Sequence, residues 1–267
     1  MRKKITLKDV AREAGLSVTM VSRVLGNYGY FSEESKSKVL KAAEKLNYKP
    51  DVIARGLKTQ ETKAIGVIVS DVLTFFFTTL IRGIEDVANQ SGYSVILCNS
   101  DEDTVKERDY LLALYERNVD GLIVSPSTGN HSYLKKLSRG GMPLVLVDRG
   151  VRGLKVPTVL ADNEAASYEA VNYLISSGHR RIGIITGLKG VTTSEERLAG
   201  YKRALEENHI SLDPKLIKEG DYRREKARKA AGDFIRMKNP PTTLFVSNEP
   251  MASGVLLALK ENKARGR

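Results

Sequence analysis

From Ala64 onward the chain repeats one pattern: a short, almost unbroken apolar run, a longer stretch with helical spacing, then the next apolar run. AIGVIVS, YSVILCN, GLIVS and PLVLVD begin roughly every 20 to 30 residues, separated by helix-like segments such as 76–91 and 104–117. Strands that are apolar on both faces need cover on both sides. A helix after each strand supplies that cover and returns the chain to start the next strand in parallel. Thr104 and Glu107 have capping-box spacing at the head of the second of these helices. A second series starts near Ala161: helix 164–177, strand 181–186, helix 193–208, a short strand around Leu216, helix 225–237 and strand 243–247. Two wound α/β lobes in tandem are expected, over 63–160 and 161–267.

Sheets of this kind bind ligands beyond the carboxyl ends of their strands. The residues there are Ser70, Asp71, Ser125, Asp148, Arg149 and Asn248, with Arg197 arriving from the start of a helix. Carboxylate and amide groups take paired hydroxyls and a guanidinium is a forked donor, so the set suits a polyol. Two structural roles compete with this one: Asp148 capping a following turn, and Arg197 pairing with Glu195 or Glu196 at the surface.

The first sixty residues follow a different period. In TLKDVAREAGLSVTMVSRVL, residues 6–25, Thr6 and Asp9 have capping-box spacing, and Leu7, Val10, Ala11 and Ala14 share a face, predicting a helix over 7–14. Gly15 lets the chain reverse, Leu16 is an apolar turn residue, and Ser17 is a good N-cap for a second helix through Leu25. That helix turns Val18, Val21, Val24 and Leu25 inward and leaves Thr19, Met20, Ser22 and Arg23 more exposed. Ser32 caps a third helix, with Glu33 and Glu34 at its positive end and Val39, Leu40, Ala43 and Leu46 on its apolar face.

Two helices joined by a tight turn, the second opening on small polar side chains, form the pattern of a helix-turn-helix. In a major groove its first residues meet base edges, a threonine by hydrogen bond or methyl contact and an arginine by forking onto guanine. Ser17, Val18, Thr19 and Arg23 are the candidate base or phosphate contacts, with Thr6, Ser22 and Asn27 beside them. Ser17 acting only as a cap and Val18 only as packing remain open. Residues 1–60 hold thirteen Lys and Arg against six Asp and Glu, so +7 of the chain's net +11 is concentrated there. That is the electrostatic footprint of phosphate binding, although a basic solvated surface has the same signature.

A linker over 50–62 follows the module of 1–49. Pro50 ends the third helix, and Asp51 can cap Val52-Ile53-Ala54-Arg55-Gly56-Leu57, about a turn and a half of helix. A helix so short, weakened further by Gly56, is unstable alone in water and is expected to order only when two copies pair on DNA. Ala54, Arg55 and Leu57 are its candidate DNA contacts; a flexible tether is the other reading.

Catalytic signatures are missing. There is no Walker-type phosphate loop and no Gly-x-Ser-x-Gly elbow. Gly183-Ile-Ile-Thr-Gly-Leu-Lys-Gly lacks dinucleotide-fingerprint spacing, and His131, His179 and His209 lack metal-ligand spacing. No catalytic residue, metal or cofactor is assigned, and an enzyme with an appended DNA-binding module stays as the rival class. The run Asp101-Glu102-Asp103 reads as solvated. Cys98, the single cysteine, fits a reducing, cytoplasmic setting as a buried filler. No apolar run reaches the ~18 residues of a membrane span, and none resembles a signal segment.

TLKDVAREAGLSVTMVSRVL followed by NYKPDVIARGLKTQETKAIGVIVSD resembles the lactose-repressor/galactose-repressor family of bacterial transcription regulators. The likeness continues through NSDEDTVKERDYLLALYERNVDGLIVSPS, LVLVDRG, ADNEAASYEAVNYLISSGHRRIGIITG, ERLAGYKRAL and LFVSNEPMASGVLLAL. The resemblance implies an N-terminal all-α helix-turn-helix module and an α/β, periplasmic-binding-protein-like effector domain of two lobes with parallel sheets. It also implies a homodimer on near-palindromic operator DNA, with a hinge helix whose Leu57 wedges into the minor groove and kinks the duplex. The implied effector pocket lies between the lobes at Ser70, Phe76, Ser125, Asp148, Arg197 and Asn248. A repressor controlled by a small-molecule effector, sugar or phosphosugar, follows; a phosphoprotein corepressor, as in the catabolite-control branch, is the alternative.

The chain departs from the family pattern at Thr74-Phe75, where Asn-Pro usually precedes paired phenylalanines, and at Asn248-Glu249, where Asn-Asp usually opens a late helix. Members also continue for several tens of residues past LLALKE, so the second lobe is expected to be incomplete here.

Overall fold

The computed structural model describes residues 5–26, 28–48 and 61–264, and its chain divides into two units, 1–62 and 63–267. The first unit holds three helices among its described residues, α1 (Leu7–Ala14), α2 (Val18–Gly26) and α3 (Glu33–Lys45). Each start has the cap that its side chains allow. Asp9 accepts the Thr6 N–H at 2.9 Å, Ser17 Oγ accepts the Met20 N–H at 3.2 Å, and Ser32 Oγ accepts the Ser35 N–H at 3.2 Å. Gly15 turns the chain at φ 66°, a conformation costly for any side chain with a Cβ. Val10, Ala11, Val21, Val24, Val39, Ala42 and Ala43 close the core.

Two expectations for this unit are corrected. Leu40, assigned to the inner face of α3, is 50% exposed, and the small Ala42 takes a core place instead. Met20, expected outward, packs against the core while Val18 is exposed, so α2 is rotated slightly from its simplest apolar reading.

In the second unit a five-stranded, all-parallel sheet comes first: β1 (Ala64–Val69), β2 (Ser94–Asn99), β3 (Gly121–Val124), β4 (Leu144–Val147) and β5 (Thr158–Val159), in the order β2-β1-β3-β4-β5. The helices between them are α4 (Phe75–Gln90), α5 (Thr104–Glu116) and α6 (Ser132–Arg139). Leu111 and Leu114 of α5 and Leu134 and Leu137 of α6 cover one sheet face with Ile68, Leu122 and Val124. Phe77, Leu80, Ile81 and Ile84 of α4 pack against Val67, Val69 and Ile123 on the other. Cys98, expected buried, is only half-buried because β2 is the edge strand.

The second lobe contains α7 (Asn163–Ser176), β6 (Ile182–Thr186), α8 (Thr192–Glu207), β7 (Ile217–Glu219), α9 (Arg224–Ile235), β8 (Thr243–Val246) and α10 (Glu249–Ala264). Its three described strands are parallel, in the order β7-β6-β8. α7 and α8 meet Ile182 and Ile184, while α9 and α10 meet Ile185. Tyr201, fully buried, donates to the Ile182 carbonyl at 2.8 Å, and burial pushes its phenol up to about 12. Among the described residues no helix is long and apolar enough to cross a membrane.

Candidate functional site

On α2 the side chains after the turn are exposed: Ser17, Val18 and Thr19, then Arg23 one turn on. Several of the hydroxyls expected to read DNA already have local partners. Ser17 caps α2, the Thr6 hydroxyl donates to Asp9 at 2.6 Å, and half-buried Ser22 shares a 2.8 Å hydrogen bond with the Tyr28 phenol. Thr19 and Arg23 have no such commitment among the described residues, which leaves them free to meet a groove. Tyr30, 87% exposed beyond α2, is a residue that sequence reasoning missed. Its phenol is chemically suited to a phosphate oxygen, and only its exposure distinguishes it from a packing aromatic. Asn27, Ala54, Arg55 and Leu57 lie outside the described residues.

In the second unit the strand ends bring charge together from both lobes. Asp148 follows β4 in a left-handed conformation, φ 66°, uncommon for a non-glycine residue although aspartate is among those that adopt it most readily. The Ser125 hydroxyl donates to its Oδ2 at 3.5 Å, and Arg149 Nε lies 3.1 Å from the same oxygen, near enough to pair as charges but not aligned as a hydrogen bond. Burial raises the Asp148 carboxyl above its ordinary range, while Arg149 and Arg197 pull it back. Among the described residues no backbone N–H donates to the Asp148 carboxylate, so it caps no turn.

Arg149 itself is held by Glu102, with both bonds 2.7 Å, and by the Pro126 carbonyl at 3.2 Å. The bidentate pair is almost fully buried, which corrects the reading of 101–103 as a solvated run. Asp103, not Thr104, caps α5 by accepting from the N–H groups of Val105 and Lys106. Glu107, the expected capping-box partner, instead turns inward to accept the Ser127 N–H at 2.5 Å. Burial raises its carboxyl, with the Ser127 bond opposing.

Arg197 does not pair with Glu195 or Glu196. Its Nε donates to Asn163 Oδ1 at 2.9 Å and its Nη1 to the Ser247 carbonyl at 2.5 Å, which fixes it on the floor of the second lobe. Asn248 Oδ1 accepts the Met251 N–H at 3.1 Å and so caps α10. Ser70 Oγ, at the end of β1, is buried without a hydrogen-bond partner among the described residues, an orphan that a ligand hydroxyl could satisfy.

Tyr222, another residue the sequence reading passed over, joins this cluster from the end of β7. Its phenol meets the Thr193 hydroxyl at 2.9 Å, its ring lies 5.4 Å from the Arg149 guanidinium, and burial raises its pKa, with Arg149 and Arg197 opposing. A Cβ added at Gly187 would lie 2.0 Å from the ring, so the glycine after β6 makes room for it. Arg223, next in sequence, donates to the Asp101 carbonyl at 2.9 Å and lies 3.8 Å from Asp71, tying the lobes together.

Phe76 is not placed with this polar cluster. It lines a largely apolar cavity of about 1270 Å³ along α4 with Phe75, Leu80, Ile84, Val87 and Glu249, its ring edge-on to Phe77. Here the two departures from the family pattern meet: the Phe75 N–H, which a proline would lack, donates to Glu249 Oε2 at 3.3 Å across the lobes.

Residues 6–51 match the family described as bacterial regulatory proteins, lacI family, and residues 62–267 match periplasmic binding proteins and the sugar binding domain of the LacI family. The chain is 41% identical to a probable HTH-type transcriptional regulator, EndR, of Paenibacillus polymyxa, over 96% of this chain and 76% of that protein. It is 37% identical to the HTH-type transcriptional repressor PurR of Photobacterium profundum, over 97% of this chain and 78% of that one. Among solved structures, the lac repressor dimer bound to operator and an anti-inducer superposes with a TM-score of 0.84 at 25% identity, covering 98% of this chain and 79% of that one.

Proposed function

The chain belongs to the LacI family of bacterial regulatory proteins and is a DNA-binding transcriptional regulator rather than an enzyme; from that premise we propose that it is a repressor whose hold on operator DNA is set by a sugar or phosphosugar bound between its lobes. The observation that carries the reading is the cross-lobe cluster of Ser125, Asp148, Arg149, Arg197 and Tyr222 at the strand ends. It combines acceptor, forked donor and an aromatic ring, the chemistry that polyol recognition needs.

In the proposed mechanism two copies place α2 in successive major grooves of a near-palindromic operator, with Thr19 and Arg23 meeting base edges and Leu57 entering the minor groove between them. A ligand that bridges Asp148 and Arg197 binds better at one lobe angle than another. By that difference alone it shifts the population that holds DNA. Fluorescence anisotropy of a labelled near-palindromic duplex, with and without sugars and across a salt series, tests the whole chain of steps. Affinity should fall steeply with salt and change with effector; a salt-independent affinity would remove the phosphate-contact reading.

A further inference from the structure

Beyond α2 the chain folds back over the helix it has just left. The Tyr28 N–H donates to the Arg23 carbonyl at 3.1 Å, and the Tyr28 phenol shares the 2.8 Å hydrogen bond with Ser22, so one residue closes the last turn through both backbone and side chain. The ring lies against Gly26, where an added Cβ would be 2.6 Å from it, and only a glycine leaves that room. The turn at 28–29 then runs beside Arg23. A Cβ at Gly29 would be 3.7 Å from Arg23 Cδ and 3.8 Å from its Nε, ordinary contact distances, so the arginine stem has the turn along one side. Val21 and Val24, which flank Ser22 and Arg23 in sequence, are core residues that fix the helix beneath them. Arg23 is exposed, and a long side chain free in water gives up rotamer entropy when it meets a partner. A wall on one side removes part of that loss in advance, and a guanidinium must arrive in the plane of the base to make both of its bonds to guanine.

We propose that Tyr28 is a positioning residue for DNA reading: anchored on Ser22 across Gly26, it holds the turn at 28–29 against Arg23 and so aims the guanidinium at the groove. The inference rests on the reading of α2 as the recognition helix with Arg23 on a base edge. Tyr28 itself touches no base; it acts through Arg23.

The test is fluorescence anisotropy of the full chain with two labelled probes: a near-palindromic duplex enriched by this protein from a random-sequence pool, and a scrambled duplex of the same length. Tyr28→Phe keeps the ring and loses the anchor, and Gly26→Ala pushes the ring off its seat. Each should weaken binding to the enriched duplex by about three- to tenfold, the entropy of one long side chain, and leave the scrambled duplex within about twofold. Alanine is the better helix former, so Gly26→Ala should melt no earlier than the unsubstituted chain, and a loss of fold would not explain its weaker binding. In an Arg23→Ala background, Tyr28→Phe should cost nothing further. Undiminished binding by both Tyr28→Phe and Gly26→Ala overturns the inference. So does a loss shared equally by the scrambled duplex, or one that persists without Arg23, since either marks a merely structural tyrosine. If Arg23→Ala alone binds the enriched duplex as tightly as the unsubstituted chain, or if no duplex is enriched, the reading of α2 fails first and the positioning role falls with it.

Discussion

The helix-turn-helix unit and the two-lobe cleft reach function by opposite routes. In the former, the candidate reading residues Ser17, Val18, Thr19 and Arg23 lie within seven consecutive positions of one helix start, and its core is a few small apolar side chains. In the latter, Ser125, Asp148, Arg197 and Tyr222 come from the ends of separate strands and helices, and each is held by a partner far away in the chain. Damage to a local site should stay local, whereas damage to a site made of buried, mutually neutralising charges should spread into stability.

The sharpest way to break that contrast is Arg149→Ala. It strands a nearly buried Glu102 and should cost about 3–5 kcal/mol of the two-lobe unit's stability in denaturant unfolding. Replacing both partners, Arg149→Met with Glu102→Leu, should restore most of it; if the single change is as mild as a surface substitution, the cleft is not the coupled unit described. Next in size is Arg23→Ala, expected to weaken operator binding by about 1–3 kcal/mol in anisotropy while leaving sugar titration and the melting of the two-lobe unit untouched. A change in sugar affinity would blur the division between the two regions.

Gly187→Ala probes how far the cleft depends on tight packing. The added methyl meets the Tyr222 ring, so sugar affinity should fall by about tenfold with only a modest loss of stability. The smallest effect concerns pH. Asp148 and Glu107 both have carboxyls raised by burial in the fold, so the folded state binds protons more readily than the unfolded chain. Their contribution is full below the ordinary carboxylate pKa of about 4 and is lost as pH rises through the raised values. Asp148→Asn should flatten that part of the stability-versus-pH curve and slightly raise the Tm at neutral pH, at the expense of ligand binding. An unchanged slope would mean that Asp148 is solvated.

The same contrast explains which parts were legible in the residues alone. Caps and periodicity place α1, α2 and α3 closely because they depend on neighbours three and four positions apart, though the rotation of α2 and the exposure of Leu40 depend on what the other helices offer. The ends of parallel strands, where such sheets offer ligand sites, point to Asp148 after β4, and Arg197 enters beside them from the first turns of α8. Nothing in the local sequence distinguishes Glu102 from its acidic neighbours, or Tyr222 from any other tyrosine, because their roles exist only through Arg149 and Gly187. Phe76 shows the reverse: its family resemblance points into the cleft, and its helix turns it toward the groove along α4 instead.

What the amino-acid sequence determined by itself was the order of elements, the parallel two-lobe plan and the helix-turn-helix start, because hydrophobic period, caps and strand composition act over a few residues. Tertiary structure alone decided which charges neutralise one another and which remain for a ligand. A buried charge takes its energy from partners brought within a few ångströms by the fold, and the distance between Glu102 and Arg149, or Phe75 and Glu249, along the chain carries no trace of that approach.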